Sequence, residues 1–245
     1  KHMKKREIYS DLRCAPPFII RVDGRAFRNS LLRMGFQKPF DNRFAVSMGN
    51  AVEMLFKKSG KSPVLGYTFS DEINLLFKDV PFDGRVEKLN SIVPSFLSSA
   101  LTLSLKVQEP LAFDSRIVPL CKDQIREYLD WRQKEAWRNC INSYAFYTLV
   151  SKGSSEKESA AALKKKRSSD VHELLFRHGI NVSKVPAWQR KGILVHKEQY
   201  SISGYNPLIR ENTRSIRTRV VQNWDIPLFP SPEGSALIDS LISDS

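Results

Sequence analysis

Short apolar runs separated by acidic or glycine breaks organise the first half of the chain. Phe18 to Val22, bounded by Pro16-Pro17 before and Asp23-Gly24 after, predicts a short buried strand. From Asp41, a good N-cap, Phe44, Ala45, Met48, Val52, Leu55 and Phe56 recur at helical spacing until Gly60. That pattern predicts a helix laid over a sheet. Val64 to Phe69 and Ile73 to Phe77 read as a hairpin with Ser70-Asp71-Glu72 at its tip. A second helix is expected over Glu87 to Lys106, apolar at Leu89, Val93, Leu97 and Leu101 and kinked by Pro94. A strand over Arg116 to Leu120 follows, then a long helix from Asp123 to about Val150.

Strand, helix, strand, strand, helix, strand is the split βαβ plan, so the expected class is α+β with a ferredoxin-type βαββαβ core and added helices. In that plan the first strand lies beside the hairpin. Asp23 and Asp71 are then expected to meet at one edge of the sheet.

Gly153 to Ser159 reads as a polar break, Ser159 to Arg167 and Asp170 to Arg177 as two short helices, and Gly192 to Lys197 as a strand. From Tyr200 apolar periodicity fades, Arg210, Arg214, Arg217 and Arg219 accumulate, and prolines follow up to Pro232. This tail reads as an irregular basic appendage ordered on a partner. The expected organisation is a catalytic domain over 1–150, accessory helices and a strand completing it over 151–199, and a basic C-terminal extension over 200–245.

Composition adds a partner class. Thirty-nine Lys and Arg against twenty-six Asp and Glu give a formal charge of +13, which points to a polyanion, with nucleic acid ahead of membrane. Cys14, Cys121 and Cys140 are widely spaced and form no CxxC, so neither a disulfide framework nor a zinc site is expected. No uninterrupted apolar stretch suits a membrane span, and the expected location is cytoplasmic.

Two carboxylates at one sheet edge can bridge a pair of Mg²⁺ ions about 4 Å apart, the arrangement of phosphoryl and nucleotidyl transfer. Gly24, lacking a Cβ, lets a backbone carbonyl or a phosphate come close. Asp23-Gly24 can also be a type I′ turn, and Asp71-Glu72 an ordinary polar tip. Glu72, in strand geometry, points away from Asp71 and is the weaker of three catalytic candidates, Asp23, Asp71 and Glu72. Arg25, Arg28, Lys38, Arg85 and Lys88 are the cations expected to flank the carboxylates and hold a triphosphate. The run Lys164, Lys165, Lys166, Arg167 and the tail arginines suit an RNA backbone. No Gly-rich phosphate loop, nucleophile elbow or HExxH is present.

The segments FIIRVDGRAF, FQKPFD, YTFSDEINLLFK, AFDSRIV, REYLDWRQ, HELLFRHGIN and AWQRKGILV, in that order over residues 18 to 197, resemble the histidine-tRNA guanylyltransferases and their archaeal and bacterial relatives. The resemblance implies a polymerase-like palm and nucleotide addition to tRNA 5′ ends in the 3′-to-5′ direction. It implies that Asp23, Asp71 and the Gly24 carbonyl bind two Mg²⁺. It also implies that Asp23, Gly24, Arg25, Ala26, Phe27 and Arg28 with Ser70 and Asp71 contact nucleotide, and that Lys38, Arg85 and Lys88 contact triphosphate. ATP and GTP or another NTP are the implied substrates, tRNA the partner, and dimers or tetramers the implied assembly. Where members devoted to histidine tRNA carry His-Ile-Asn-Asn-Leu-Tyr-Asn, this chain reads Trp137 to Ser143 and keeps Asn139 alone. Val171 replaces a basic residue of the pattern. These departures favour templated repair of truncated tRNAs over strict guanylylation of histidine tRNA. From other classes, a palm-like RNA-binding protein without catalysis and a palm-domain nucleotide cyclase remain open.

Overall fold

The computed structural model describes residues 3–206 and 211–243. β1 (Phe18–Gly24) leads into a helix that periodicity did not announce, α1 (Phe27–Arg33). α2 (Asn42–Lys58) starts where Asp41 accepts the Arg43 N–H at 2.8 Å, a side-chain N-cap. The hairpin follows as β2 (Leu65–Phe69) and β3 (Glu72–Phe77), then α3 (Val86–Leu105), which runs on through Pro94, and β4 (Phe113–Pro119). α4 (Gln124–Ser151) is long, and α5 (Glu156–Leu163), α6 (Ser168–Arg177) and α7 (Ala187–Lys191) come after it. α5 begins inside the expected polar break because Ser155 and Glu158 form a reciprocal capping box there. No helix among the described residues is long and apolar enough to cross a membrane.

The sheet order is β4-β1-β3-β2, extended by two further strands, β5 (Ile193–Asn206) and β6 (Glu211–Asn223). The first four strands are the ferredoxin-type arrangement expected from the sequence. All neighbours are antiparallel, and Asp23 is paired with Glu72 on β3 and with Asp114 on β4. Both faces are apolar: Phe18, Ile20 and Val22 pack toward α2 and α3, while Ile19, Leu65, Tyr67 and Leu76 pack toward α4. A slip of β1 by one residue would exchange these faces and carry Asp23 to the wrong side. Burying a Leu, Ile, Val or Phe is worth about 1.5–3 kcal/mol, so four such residues in β1 hold the register firmly.

The expectation of an irregular tail is corrected. Residues from Tyr200 continue β5, which pairs with β6 from Leu194↔Asn223 to Asn206↔Glu211. Only the first part of β5 pairs with β2, at Ile193 to His196, so the rest of the hairpin runs past the end of β2 near Leu65 as a two-stranded arm. Its alternation is hidden because both faces carry exposed polar residues; β-branched Ile and Thr and the aromatic Tyr were the surviving signal. The proline-rich stretch then buries Ile226 and Phe229, and α8 (Pro232–Ser243) adds Ile238 and Ile242 to the core beside α4.

Candidate active site

The end of β1 and the β2–β3 turn form one structural unit. The Gly24 N–H donates to the Asp71 carbonyl at 3.0 Å. A Cβ on Gly24 would lie 2.7 Å from Phe27 Cδ2 and 2.8 Å from Asp71 Cβ, so only glycine fits between them. The hairpin-turn reading of Asp23-Gly24 fails: Arg25 donates its N–H to Ala112 at 2.9 Å, and Ala26, at φ +59°, turns the chain into α1. Ser70 sits at φ +50° and donates from Oγ to Asp71 Oδ1 at 3.1 Å. Burial and then the nearby charge of Asp23 raise the Asp71 carboxyl above its ordinary value. A cation placed beside the buried Asp71 carboxylate would offset both effects.

One side of the turn opens on a cleft of about 250 Å³. Phe27, Phe40, Phe44 and Trp188 supply aromatic walls, and Arg28, Lys38, Ser70 and Asp71 supply charge and polarity. Lys38 is held there by its neighbours: Asp41 Oδ2 accepts the Gln37 N–H at 2.9 Å, fixing the loop. The Arg43 guanidinium, with backbone N–H donors, pulls the Asp41 carboxyl down to about 2. Burial lowers the Lys38 ammonium from its ordinary value, with Arg28 adding to that effect and Asp71 and Asp41 opposing it. Arg28 pairs with Glu156 at 3.0 Å and lies 4.9 Å over Phe146.

The other side is a polar groove of about 290 Å³ between the carboxylates Asp23, Asp71 and Glu72 and the α4 residues Arg132, Arg138, Asn139 and Asn142. The cleft and the groove meet at Ser70, Asp71 and Asn139.

Three groups of expectations are corrected. The Glu72 carboxylate is taken up by Arg132, which donates from Nε to Oε1 at 2.8 Å and from Nη2 to Oε2 at 2.5 Å, while Asn74 Nδ2 donates to Oε1 at 2.8 Å. A buried carboxylate so engaged is a strut beside the site and not an available metal ligand. Arg85 and Lys88 are not brought to the carboxylates. Neither Arg85 nor Lys88 lines the cleft or the groove; Arg85 bridges to Arg13 and donates from Nε to the Phe82 carbonyl at 3.4 Å. The tail arginines lie on the arm, which runs past the Leu65 end of β2, remote from the Asp71 turn: Arg214 and Arg217 are exposed, and Arg219 pairs with Glu198 at 2.6 Å. Arg210 lies outside the described residues. Lys164 to Arg167 form the exposed turn between α5 and α6, with Lys165 at φ +65°.

Of the aromatic walls only Phe27 was among the expected nucleotide contacts; Phe40, Phe44, Trp188 and the Asn139 and Asn142 face of α4 were not singled out as site residues from the sequence. Phe40 and Trp188 stand in FQKPFD and AWQRKGILV, where nothing in the periodicity separates a wall of a cleft from a core residue.

Among the described residues no cluster of three or more His, Cys, Asp or Glu side chains is placed to hold a metal. The donor set at the turn still suits Mg²⁺, which is commonly held by one or two carboxylates with substrate phosphates and waters completing the shell.

The family model described as "tRNAHis guanylyltransferase" matches residues 1–121, and the one described as "Thg1 C terminal domain" matches residues 123–223. The tRNA(His) guanylyltransferase of Debaryomyces hansenii is 33% identical over 217 residues, covering 82% of this chain and 81% of its own. A bacterial tRNA(His) guanylyltransferase-like protein solved in complex with ATP superposes with a TM-score of 0.76 at 22% identity, covering 98% of this chain and 97% of its own. One solved in complex with GTP gives a TM-score of 0.71 at 22% identity, with coverages of 98% and 97%. These two structures carry the fold.

Proposed function

Since this chain belongs to the tRNA(His) guanylyltransferase family, we propose that it is a nucleotidyltransferase that adds templated nucleotides to the 5′ end of tRNA in the 3′-to-5′ direction. The observation that carries this reading is the placement of Asp23 and Asp71 where an aromatic, cation-bearing cleft meets a polar groove. The cleft suits a nucleoside triphosphate: Phe40, Phe44 and Trp188 face a base with Phe27 packed behind them, and Lys38 and Arg28 face phosphates. GTP and ATP, the ligands named for the bacterial structures, have that chemistry. The groove suits the RNA end.

In the step proposed, the 3′-hydroxyl oxygen of the nucleotide attacks the phosphorus of an activated RNA 5′ end. A new P–O bond forms, the bond to AMP or pyrophosphate breaks, and the hydroxyl proton passes to solvent. Asp23, Asp71 and the Gly24 carbonyl are the groups that would hold Mg²⁺, which when bound acidifies the attacking hydroxyl and offsets polyphosphate charge. Ser70 and the Gly24 N–H fix Asp71, and Asp41 fixes the loop that carries Lys38. Arg25 and Ala26, exposed between β1 and α1, are the loop positions left to contact nucleotide.

Templated repair is favoured over strict addition to histidine tRNA because Trp137, Arg138 and Asn142 replace the residues of the segment associated with that specificity. The exposed cations of the α5–α6 turn and of the arm are the proposed RNA contacts. Because the arm points away from the chain's own carboxylates, a homodimer or homotetramer is the assembly in which it serves. The experiment is incubation with several tRNAs lacking their first nucleotide, Mg²⁺ and each NTP. Extension of every tRNA by the nucleotide complementary to the opposing base supports the reading. Extension of histidine tRNA alone selects the strict enzyme, and a cyclic product from NTP without RNA selects the cyclase.

A further inference from the structure

α4 has two working faces. Arg132, Arg138, Asn139 and Asn142 look onto the carboxylate groove. Gln133, Lys134 and Trp137 lie on the opposite side of the helix, where they line a separate cavity of about 360 Å³ with Arg190, Leu228 and Pro230. The cavity is built and not incidental. Gln133 forms its floor, donating from Nε2 to the Pro227 carbonyl at 3.2 Å and accepting the Phe229 N–H at 2.8 Å, so the 227–230 segment is pinned against α4. Trp137 packs on His172 with ring centroids 5.2 Å apart. Leu228, 54% exposed, and Pro230 complete the apolar wall, and Asp130 and Lys191 also line the cavity.

Cations stand on the rim. Lys134 pairs with Asp130 on its own helix at 2.6 Å, and Arg190 donates from Nε to the Val185 carbonyl at 3.1 Å, an uncharged partner. An apolar slot with an indole wall and a basic rim has the chemistry of a single unpaired nucleotide, base inside and phosphate at the mouth. Two elements tie it to the active site. α7 places Trp188 and Gln189 on the nucleotide cleft and Arg190 on this cavity, and α4 separates cavity and groove by one helix diameter, about 10 Å. A tRNA whose 5′ end lies in the groove has its single-stranded 3′ tail beginning at the same end of the acceptor stem.

We propose that this cavity takes a base of that single-stranded 3′ tail, stacked on Trp137 with its phosphate on Arg190 and Lys134. The proposal rests on the reading that the RNA 5′ end is the substrate. Its effect is to anchor the strand opposite the growing end, so that the stem cannot slide relative to Asp23 and Asp71.

The test compares two labelled acceptor-stem hairpins, with and without a four-nucleotide 3′ tail, by fluorescence anisotropy. Wild type should bind the tailed hairpin about tenfold more tightly, the effect of one stacked base. Trp137→Ala should erase that preference and leave tail-less binding unchanged, and Trp137→Phe should keep most of it. Lys134→Gln with Arg190→Gln, which leaves the walls in place, should reduce the preference and lower its salt dependence. Equal binding of both hairpins by wild type, or a preference untouched in all three variants, overturns the proposal. Extension of the tail-less hairpin at saturating concentration is the separate check: if wild type extends it without any tail preference, only this proposal falls. If wild type extends neither hairpin, the nucleotidyltransferase reading falls, and the tail preference still decides the cavity.

Discussion

The buried Glu72–Arg132 pair stands next to Asp71 in the chain, and its removal has a calculable cost. Glu72 and Arg132 are 6% and 8% exposed, their contact is two-pronged, and Asn74, itself bonded to Tyr128 Oη at 2.7 Å, completes the network. Arg132→Met leaves a carboxylate buried beside Phe69 without its counter-charge. Breaking one partner of such a pair costs about 3–5 kcal/mol, whereas replacing both with neutral groups of similar size is close to neutral. For a chain of this length each kcal/mol moves Tm by about 2–4 °C, so Arg132→Met should melt about 6–20 °C below wild type. The double variant Glu72→Gln with Arg132→Met keeps an acceptor for Asn74 and should recover to within about 1 kcal/mol. Urea denaturation of the four proteins closes the cycle, with 5′-extension measured in parallel. If Arg132→Met costs less than about 1 kcal/mol, the buried-pair account is wrong. If the double variant regains stability yet is as inactive as an Asp71 variant, Glu72 takes part in the chemistry and is more than a strut.

Three further outcomes follow from the same geometry. Asp71→Asn should slow extension by about a hundredfold to a thousandfold and, in EDTA, stabilise the fold at neutral pH: a carboxyl raised by burial and by Asp23 costs the folded state once ionised, so wild type loses stability as pH rises from the ordinary aspartate value through the raised one. Denaturant melts across that window should show the gap between variant and wild type widening with pH, and a constant gap would contradict it. Asp41→Ala removes the α2 cap and the anchor of the Lys38 loop, so it should cost about 1–2 kcal/mol by urea melts at pH 7 and raise KM for NTP; because Asp41 is pulled down to about 2, that deficit should shrink as pH falls from the ordinary carboxylate value through about 2. Gly24→Ala must push Phe27 or the Asp71 turn aside and should cost about 1–3 kcal/mol by denaturant melts together with most of the activity, because the displaced atoms belong to the site.

The core and the carboxylate pair were legible because they follow from local patterns combined with one topological rule. Phe18 to Val22 has a strand's apolar run, and the split βαβ order alone brings Asp23 beside Asp71. What failed needed the third dimension. Arg85 stands near the hairpin in sequence, but in the fold it is bridged to Arg13 and lines neither the cleft nor the groove, a placement no local pattern reports. Glu72 could be assigned to a face, but its partner Arg132 comes from sixty residues further on, a distance no periodicity reports. The arm from Tyr200 looked irregular because strands wetted on both faces have no apolar alternation to display.

In the proposed reaction Asp23 and Asp71 act together through Mg²⁺ at a tRNA 5′ end. The most direct measurement is the single-turnover rate of extension of a 5′-truncated tRNA across an Mg²⁺ titration, for wild type, Asp23→Asn and Asp71→Asn, with tRNA affinity measured alongside. The account predicts a saturable Mg²⁺ dependence in wild type and a rate loss of about a hundredfold to a thousandfold in each variant, with tRNA affinity nearly unchanged because its grip comes from Lys and Arg. Extension by either variant at the wild-type rate and Mg²⁺ midpoint would contradict it.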